Sequence, residues 1–317
     1  MKHKLHITAL LLGMFLLTQF IGLFVVNSYA TTFESFTNAQ TGEIELIEVE
    51  HPLPFGLDNS NEDPTQNFVS IIFAFFFAFA IIFILIKYKW KYVIRAWFFL
   101  VISLALSISF YSIFRNSLNN PSMMALVVAI PLSFYKIFKP NVIIHNLTEL
   151  LIYPGIAAVF VPILTPISII ILLFLISIYD MWAVWKSGIM QKMAKFQMEE
   201  LKIFGGFLIP SASAKVKAQM KKIKLKYENK KMPMKIKNKK FKVNIAILGG
   251  GDVIFPIITA GVFYRSFGMM AALSIIFGAL IGLSYLFAVT KKGKAYPAMP
   301  YITAGILLGL AFWKILL

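Results

Sequence analysis

Two aspartates in apolar surroundings are the residues of this chain best suited to do chemistry. Asp180 lies six residues before Lys186, and Asp252 lies nine residues into the apolar segment 243–263. If both segments cross a membrane in opposite directions, these positions lie roughly 9 and roughly 13 Å from the same face. Neighbouring carboxyls share one proton, so that one takes a proton from water while the other donates to an amide carbonyl. The pair therefore predicts acid–base hydrolysis of a peptide bond without a covalent intermediate.

The composition indicates which elements carry these residues. Of the 317 residues, 59% are hydrophobic and 14% are charged, and the mean hydropathy is +0.77. An ordinary globular domain has roughly 45–50% apolar and about 25% charged residues. We therefore predict an all-α polytopic membrane protein with nine transmembrane helices. The predicted spans are 6–26, 68–86, 93–114, 121–138, 142–161, 163–185, 243–263, 268–289 and 296–316.

The distribution of charge indicates the orientation of these spans, because cytoplasmic loops carry an excess of Lys and Arg. The loop 187–242 holds sixteen lysines, whereas residues 27–67 hold eight carboxylates and neither lysine nor arginine. The other loop lysines fall on the side of the basic loop: Lys2, Lys4, Lys87, Lys89, Lys91, Lys136, Lys139, Lys291, Lys292 and Lys294. We expect a cell-membrane protein whose N-terminus and 187–242 loop are cytoplasmic and whose acidic loop and C-terminus are outside.

These features divide the chain into three parts. Residues 1–186 form a six-helix part with the acidic outer loop 27–67, residues 187–242 form the basic loop, and residues 243–317 form a three-helix part. Within the basic loop, apolar residues at near-helical spacing predict an interfacial helix on anionic lipid. These residues are Ile189, Met193, Phe196, Phe204 and Phe207. We therefore read the net charge of +17 as an orientation and lipid signal and predict no nucleic-acid partner.

The first span raises the question of a signal peptide. Lys2 and Lys4 precede it, and Ser28-Tyr29-Ala30 resembles a cleavage site. Its apolar run of about 20 residues is longer than the 7–15 of a usual signal h-region. We therefore expect a retained span.

Other catalytic chemistries lack their residues. The chain has no cysteine, which excludes disulfides, thiol nucleophiles and cysteine metal sites. Its four histidines are scattered, and it has neither an HExxH nor a GxSxG motif. We predict no metal and no cofactor.

Irregular backbone surrounds the aspartates. Gly249, Gly250 and Gly251 precede Asp252 and allow a neighbouring helix or an extended substrate to approach closely. Pro256 is expected to loosen the turn that holds the Asp252 carbonyl. Pro297-Ala298-Met299 begins the ninth span on the same inner side. The three irregular features are therefore expected to converge in one layer.

Three short segments together resemble a known family. Tyr179-Asp180, Gly249-Gly250-Gly251-Asp252 and Pro297-Ala298-Met299 resemble the YD, GxGD and PAL motifs of the presenilin and signal peptide peptidase family of intramembrane aspartyl proteases. The nine-span layout resembles that family over essentially the whole chain. GxGD alone is a weak signal, but all three motifs in order are a strong one. Met299 departs from the usual leucine by a volume-conserving apolar exchange.

The resemblance implies a presenilin-like bundle and an intramembrane aspartic endopeptidase. It implies that Asp180 and Asp252 are the catalytic pair. The residues that it assigns to substrate binding and site shape are Tyr179, Gly249, Gly250, Gly251, Pro297, Ala298 and Met299. The expected partners are a transmembrane helix of a substrate protein and the lipid bilayer, and a homo-oligomer is left open.

Two segments near the site are expected to have particular roles. Because a helical substrate must unwind before cleavage, the segment 236–248 is a candidate strand for pairing with it. The segment Ile203–Pro210 is interpreted as a membrane-surface segment, with a self-cleaved plug as the alternative.

Polar and small residues elsewhere predict packing. His145 and Glu149 are four residues apart on one helix and are expected to pair in a structural role. Small residues at Gly278 and Gly282, and at Gly305 and Gly309, have the spacing that lets membrane helices pack closely.

Other functions compete with proteolysis. A proton- or cation-coupled transporter or channel also uses carboxylates and broken helices at membrane depth, so Asp180 and Asp252 also fit that function. A prepilin-type peptidase shares the GxGD element, but the PAL-like segment and the nine spans argue against it. A scaffold protein leaves the two aspartates unexplained.

Overall fold

The computed structural model describes residues 5–30, 32–37, 44–49, 51, 53–56, 69–70, 72–74, 77–78, 80–81, 84–85, 88, 90–117, 119–139, 141–187, 203–211, 219, 244–290 and 296–316. Its helices are α1 (Leu5–Asn27), α2 (Lys91–Phe114), α3 (Pro121–Phe138), α4 (Val142–Phe160), α5 (Pro166–Trp182), α6 (Gly250–Phe267), α7 (Met269–Val289) and α8 (Met299–Leu316). Short turns of 3-10 helix lie at Pro54–Gly56 and Val161–Ile163, and a π-helical turn lies at Ala183–Ser187. Two antiparallel strand pairs join β1 (Thr32–Thr37) to β2 (Ile44–Val49) and β3 (Gly206–Ser211) to β4 (Asn244–Gly249).

The helices confirm the predicted all-α polytopic membrane fold. Among the described residues, six helices are long and apolar enough to cross a membrane, namely α1, α2, α3, α4, α5 and α7. The helix α8 is apolar but shorter. The predicted span 68–86 is helical at its described positions between 69 and 85, and the rest of that span lies outside the described residues.

The seventh predicted span begins as a strand. The segment from 244 to 249 is β4, and the helix α6 begins only at Gly250. Side-chain exposure alternates at 47%, 2%, 37% and 2% over Ile245, Ala246, Ile247 and Leu248, the two-residue period of a strand. Asp252 therefore lies in the first turn of α6. The predicted depth of roughly 13 Å is wrong because it assumed a helical rise from 243 onward.

Small residues bring α7 and α8 together. A Cβ atom at Gly278 would lie 2.3 Å from the carbonyl oxygen of Gly305, and one at Gly282 would lie 2.2 Å from that of Tyr301. A Cβ at Gly309 would similarly meet the backbone of Ser274 at 2.2 Å. The predicted close packing at these glycines is therefore confirmed. It fixes the start of α8 relative to the rest of the bundle.

The first helix is part of the core that supports α6. Leu11 and Phe15 of α1 are fully buried. The Gln19 amide donates a 3.0 Å hydrogen bond to the carbonyl oxygen of Val253. The helix α6 also continues through Pro256, so the turn at that proline remains helical. The first turn of α6 is thus attached directly to α1.

Local sequence defines the ends of α5. The Thr165 hydroxyl accepts a hydrogen bond from Ser168 N–H, and Pro166 occupies the first turn, where its missing N–H costs nothing. The regular helix ends at Trp182 and continues as one π-helical turn. Such turns widen the helix and often occur at functional sites. Asp180 therefore sits in the last regular turn before a change of helix geometry.

Candidate active site

Asp180 is held by the beginning of α8. Its Oδ2 accepts a 3.1 Å hydrogen bond from Met299 N–H, and Ala298 N–H is a second backbone donor. The first N–H groups of a helix have no acceptor within the helix, so they bind an anion readily. The PAL-like segment thus contacts the carboxylate through its backbone, while the Met299 side chain is 3% exposed. Because backbone N–H groups make the contact, it does not depend on whether residue 299 is the usual leucine of the motif or the methionine found here.

A side-chain hydrogen bond supports this contact between α5 and α8. Ser177 Oγ and Thr303 Oγ1 lie 2.9 Å apart, and both residues are buried. Ser177 precedes Asp180 by about one helical turn, and Thr303 follows Met299 by about one turn. The hydrogen bond therefore fixes the two helices beside the aspartate.

Asp252 is held by the turn that joins β4 to α6. Gly249 N–H is a hydrogen-bond donor to its carboxylate. A Cβ atom at Gly249 would lie 3.0 Å from Asp252 Oδ2, closer than nearly all Cβ contacts. A side chain at 249 would therefore require the Asp252 carboxylate to shift, although the φ of −63° at this position is accessible to any residue. The Asp252 carboxylate folds back over Gly249, three residues before it in the chain.

The structure brings the two aspartates together. Helices α5 and α6 pack against each other, and Asp180 lies within electrostatic reach of Asp252. Both residues are half-buried. The two residues thus lie in the same region of the bundle, with Asp252 placed by the turn that follows strand β4.

The remaining predicted site residues differ in their surroundings. A Cβ at Gly250 would lie 2.9 Å from the Tyr153 hydroxyl, and Gly250 N–H donates to the carbonyl of Gly205 at 3.3 Å. Gly251 is exposed, and the nearest contact of an added Cβ is the Phe255 ring at 3.8 Å. Close packing is therefore confirmed at Gly250 and absent at Gly251 within the described residues.

Tyr179 and Pro297 flank the site in opposite environments. Tyr179 is 48% exposed, and its ring lies 6.3 Å from that of Trp182 in a tilted arrangement. Pro297 is buried. Tyr179 thus belongs to an aromatic pair at the exposed end of α5, whereas Pro297 packs inside the bundle.

Strands β3 and β4 lead directly into the Asp252 turn. They pair with Gly206 opposite Gly249 and Leu208 opposite Ile247. The prediction of an extended segment is confirmed for 244–248, and residues 236–243 lie outside the described residues. Within the part of the chain that the structure describes, β4 pairs with β3 alone, and no described strand lies at its second edge.

The segment Ile203–Pro210 is buried in this sheet. Phe207 is fully buried, and its ring packs edge-on against Tyr153 at 5.8 Å. Ile203 and Ile209 are 6% and 9% exposed. The segment is therefore a strand paired with β4 that has buried side chains at Phe207 and Ile209, while Gly205 and Pro210 are exposed.

The predicted interfacial helix is also wrong at its end. Phe204 is non-helical and Phe207 lies in β3. Apolar spacing over a few residues fits a helix and a strand alike. Here the segment forms a strand because it pairs with β4, which lies far away in the sequence. Three predicted positions of that helix lie outside the described residues: Ile189, Met193 and Phe196.

A buried polar cluster beside β3 includes residues that the sequence analysis did not connect. Lys136 Nζ lies 2.7 Å from Glu149 Oε1, and the two side chains are 3% and 2% exposed. The predicted pairing of His145 with Glu149 is confirmed at 3.6 Å. Lys136 is therefore not a free loop lysine as predicted. The sequence did contain a signal for this ion pair, because Lys136 precedes Glu149 of the next apolar span by 13 residues.

Two further residues near the site gave little signal in the sequence. Gln19 donates to Val253, the residue after Asp252. Asn146 forms hydrogen bonds to the backbone of Leu208 in β3. Each is a single amide in an apolar span, and its partner lies far away in the chain.

Comparison with known proteins identifies the family. Residues 44–315 match the model of "Signal-peptide peptidase, presenilin aspartyl protease". The chain belongs to this family of aspartyl proteases. Two solved structures of a presenilin family intramembrane aspartate protease are similar in fold. The one in space group C222 has a TM-score of 0.59 at 15% identity, covering 98% of this chain and 99% of that chain. The one in space group P2 has a TM-score of 0.57 at 17% identity, covering 97% of each chain.

Membership confirms several predictions. This member of the family is an intramembrane aspartyl protease with a presenilin-like fold, and it is a membrane protein. No match was found among curated proteins. The family acts on membrane proteins within the bilayer.

Proposed function

We propose that this protease hydrolyses peptide bonds within transmembrane segments by means of Asp180 and Asp252. The observation that supports the proposal is that two packed helices each carry a carboxyl beside backbone N–H donors, Ala298 and Met299 for Asp180 and Gly249 for Asp252. One carboxyl removes a proton from water while the other donates the shared proton to the scissile carbonyl. The carboxyl that took the proton from water then gives it to the departing amine, while the other carboxyl removes a proton from a hydroxyl of the tetrahedral diol. One carboxyl is again protonated and the other ionised, which is the starting state.

The backbone around each aspartate has a defined part in this mechanism. The amides of Ala298 and Met299 orient the Asp180 carboxylate, and the amide of Gly249 orients that of Asp252. Groups held in this way need little rearrangement when charge develops in the transition state. Gly250 keeps the β4–α6 turn close to Tyr153, and Pro297 fixes the approach to α8.

The open edge of β4 is the proposed binding surface for an unwound substrate. Both backbone polar groups of Leu208 point to Asn146, so Leu208 and Ile247 form a pair without mutual hydrogen bonds. The N–H and C=O of Ile247 therefore point to the open edge, and so do those of Ile245 by the alternation of a strand. A substrate strand added there runs toward Asp252.

The orientation and division of the chain complete the proposal. The N-terminus and the 187–242 loop lie in the cytoplasm, and the acidic loop 27–67 and the C-terminus lie outside, as the lysine distribution supports. Parts 1–186 and 243–317 each contribute one aspartate, and the basic loop joins them. The protease acts on a transmembrane helix of its substrate without a cofactor.

The proposal is tested with purified chain and single-span reporter proteins in detergent. Cleavage within the apolar span is expected, and a transition-state-mimic inhibitor of aspartyl proteases is expected to abolish it. An uncleaved panel of reporters, or cleavage that resists the inhibitor, contradicts the proposal.

The substrate edge is tested with proline. Ile247→Pro removes an N–H that β3 does not use, so cleavage is expected to fall while the protein stays folded. Ile247→Val is the matched control, because it keeps the N–H and a β-branched side chain. Equal cleavage by both variants contradicts binding at this edge.

A further inference from the structure

The outer edge of β3 is closed by side chains of α4. Asn146 Oδ1 accepts a 2.9 Å hydrogen bond from Leu208 N–H, and Asn146 Nδ2 donates a 2.8 Å hydrogen bond to Leu208 C=O. His145 Nε2 lies 2.7 Å from the carbonyl oxygen of Gly206. The carboxamide of Asn146 therefore takes the place of a neighbouring peptide group in a third strand. Three outward backbone groups of β3 are satisfied without a further strand.

The buried cluster behind β3 sets the state of His145. Lys136 Nζ donates to His145 Nδ1 at 3.2 Å, to Thr148 Oγ1 at 3.3 Å and to Glu149 Oε1 at 2.7 Å. An ammonium group has only donors, so Nδ1 is the acceptor and the imidazole proton is on Nε2. That proton is then donated to the Gly206 carbonyl. The ion pair of α3 and α4 is thus connected to β3 through one imidazole ring.

The adjoining cavity is not suited to an anion. It has a volume of about 110 Å³ and is lined in part by Lys136, His145 and Leu208. All three protons of the Lys136 ammonium are used within the cluster. The cluster instead contacts β3, through the hydrogen bond from His145 to the Gly206 carbonyl.

Glycine at 206 makes this attachment compatible with the sheet. Its φ is +142°, a conformation that favours glycine, and an added Cβ would lie 2.4 Å from the carbonyl oxygen of Leu248. The same residue thus pairs with β4 on one side and presents its carbonyl to His145 on the other. Gly206 and Leu208 therefore contact both α4 and β4.

We propose that Asn146 and His145 are positioning residues that hold β3 against α4, so that the open edge of β4 stays in register with Asp252. This proposal rests on the proposed function of the β4 edge. It assigns to two polar residues of α4 a part in the choice of the cleaved bond. Neither residue touches the aspartates.

Disulfide formation tests the anchor without any substrate, because the chain has no native cysteine. Leu208→Cys with Ile247→Cys places two thiols on directly opposite residues, within reach of a disulfide. Leu208→Cys with Ile245→Cys is the displaced pair, whose Cβ atoms are about 7–8 Å apart in the native register. The first pair is expected to oxidise and the second to stay reduced. Adding Asn146→Ala is expected to lower the yield of the first pair several-fold.

Cleavage of a single-span reporter tests the positioning. Asn146→Ala is expected to raise KM several-fold and to spread cleavage over additional peptide bonds, as read by mass spectrometry of the fragments. A purely structural loss reduces the active fraction but leaves KM and the cleaved bond unchanged. Asn146→Asp keeps the acceptor for Leu208 N–H and loses the donor, so an intermediate effect is expected. Leu147→Ala, at a 56% exposed neighbour on α4, is the control and is expected to match the parent.

The outcomes separate this proposal from the function on which it rests. Unchanged disulfide yield, KM and cleaved bond in Asn146→Ala overturn the positioning role. If that variant does not fold, the same three measurements on Asn146→Asp decide. A parent chain that cleaves no reporter overturns the proposed function, and with it the positioning role, even if the disulfide yields show that the anchor exists.

Discussion

The Lys136–Glu149 pair offers a quantitative test of how the site is supported. Its atoms are 2.7 Å apart, and the side chains are 3% and 2% exposed. An exposed ion pair is worth about 0–1 kcal/mol, whereas removing one member of a buried pair costs about 3–5 kcal/mol because the other charge stays buried and unpaired. Lys136→Met is therefore expected to lower the free energy of unfolding by about 3–5 kcal/mol.

The expected loss is checked by denaturant titration of the purified protein in detergent. Lys139→Met is the matched control, because Lys139 is an exposed lysine one turn away, 5.2 Å from the centre of the Tyr135 ring. Its loss is expected to cost about 0.5–1 kcal/mol. The double variant Lys136→Met, Glu149→Leu removes both charges and is expected to recover most of the stability. A single variant no less stable than Lys139→Met, or a double variant no more stable than the single one, refutes the reasoning.

Three further predictions follow from other contacts. Gly278→Leu is expected to separate α7 from α8 and so to reduce both stability and cleavage, because its Cβ would lie 2.3 Å from the Gly305 carbonyl oxygen. Gly13→Leu is the control in the unfolding and cleavage assays, because nothing lies within 4 Å of a Cβ added there. Gln19→Leu removes the hydrogen bond to Val253 and is expected to cost about 1 kcal/mol of unfolding free energy, measured by the same titration; no change contradicts a role for Gln19 in holding α6. The segment Ile203–Pro210 is expected to stay intact on a gel under active conditions, because β3 is paired with β4 and with α4; fragments ending within it contradict this prediction.

The aspartates and the three motif segments were predictable from the sequence for a physical reason. A carboxylate in an apolar span is conspicuous because its burial is costly, and Asp180 and Asp252 are such residues. The glycine spacings in α7 and α8 were predictable for a similar reason, since only small residues let two membrane helices approach closely. These features depend on residue type and local spacing.

The sheet was not predictable in full, because its pairing is not local. The apolar residues around Phe207 fit a surface helix as well as a strand, and only the distant β4 makes the strand favourable. A helical reading of β4 gave a wrong depth for Asp252, because residues 244–249 are extended. Strand formation at 244–249 depends on a partner that sequence spacing does not reveal.

Burial of Lys136 is the second feature that local pattern missed. A lysine near the end of an apolar span usually extends to the membrane surface. The number of such lysines on each side then indicates the orientation of the spans. Here Glu149 on the next helix supplies a partner, so the ammonium is buried instead. The partner's position in the fold decides between the two outcomes.

The catalytic pair is the central claim, and cleavage by Asp180→Asn and Asp252→Asn variants tests it most directly. Each substitution keeps the shape of the side chain and removes its acid–base chemistry. Each purified variant is compared with the parent and with Asp63→Asn, a change in the acidic loop 27–67, after an unfolding titration has shown that it is folded. The account predicts that both variants lose cleavage of the single-span reporter while Asp63→Asn retains it. Cleavage at the parental rate by either folded variant would contradict the account.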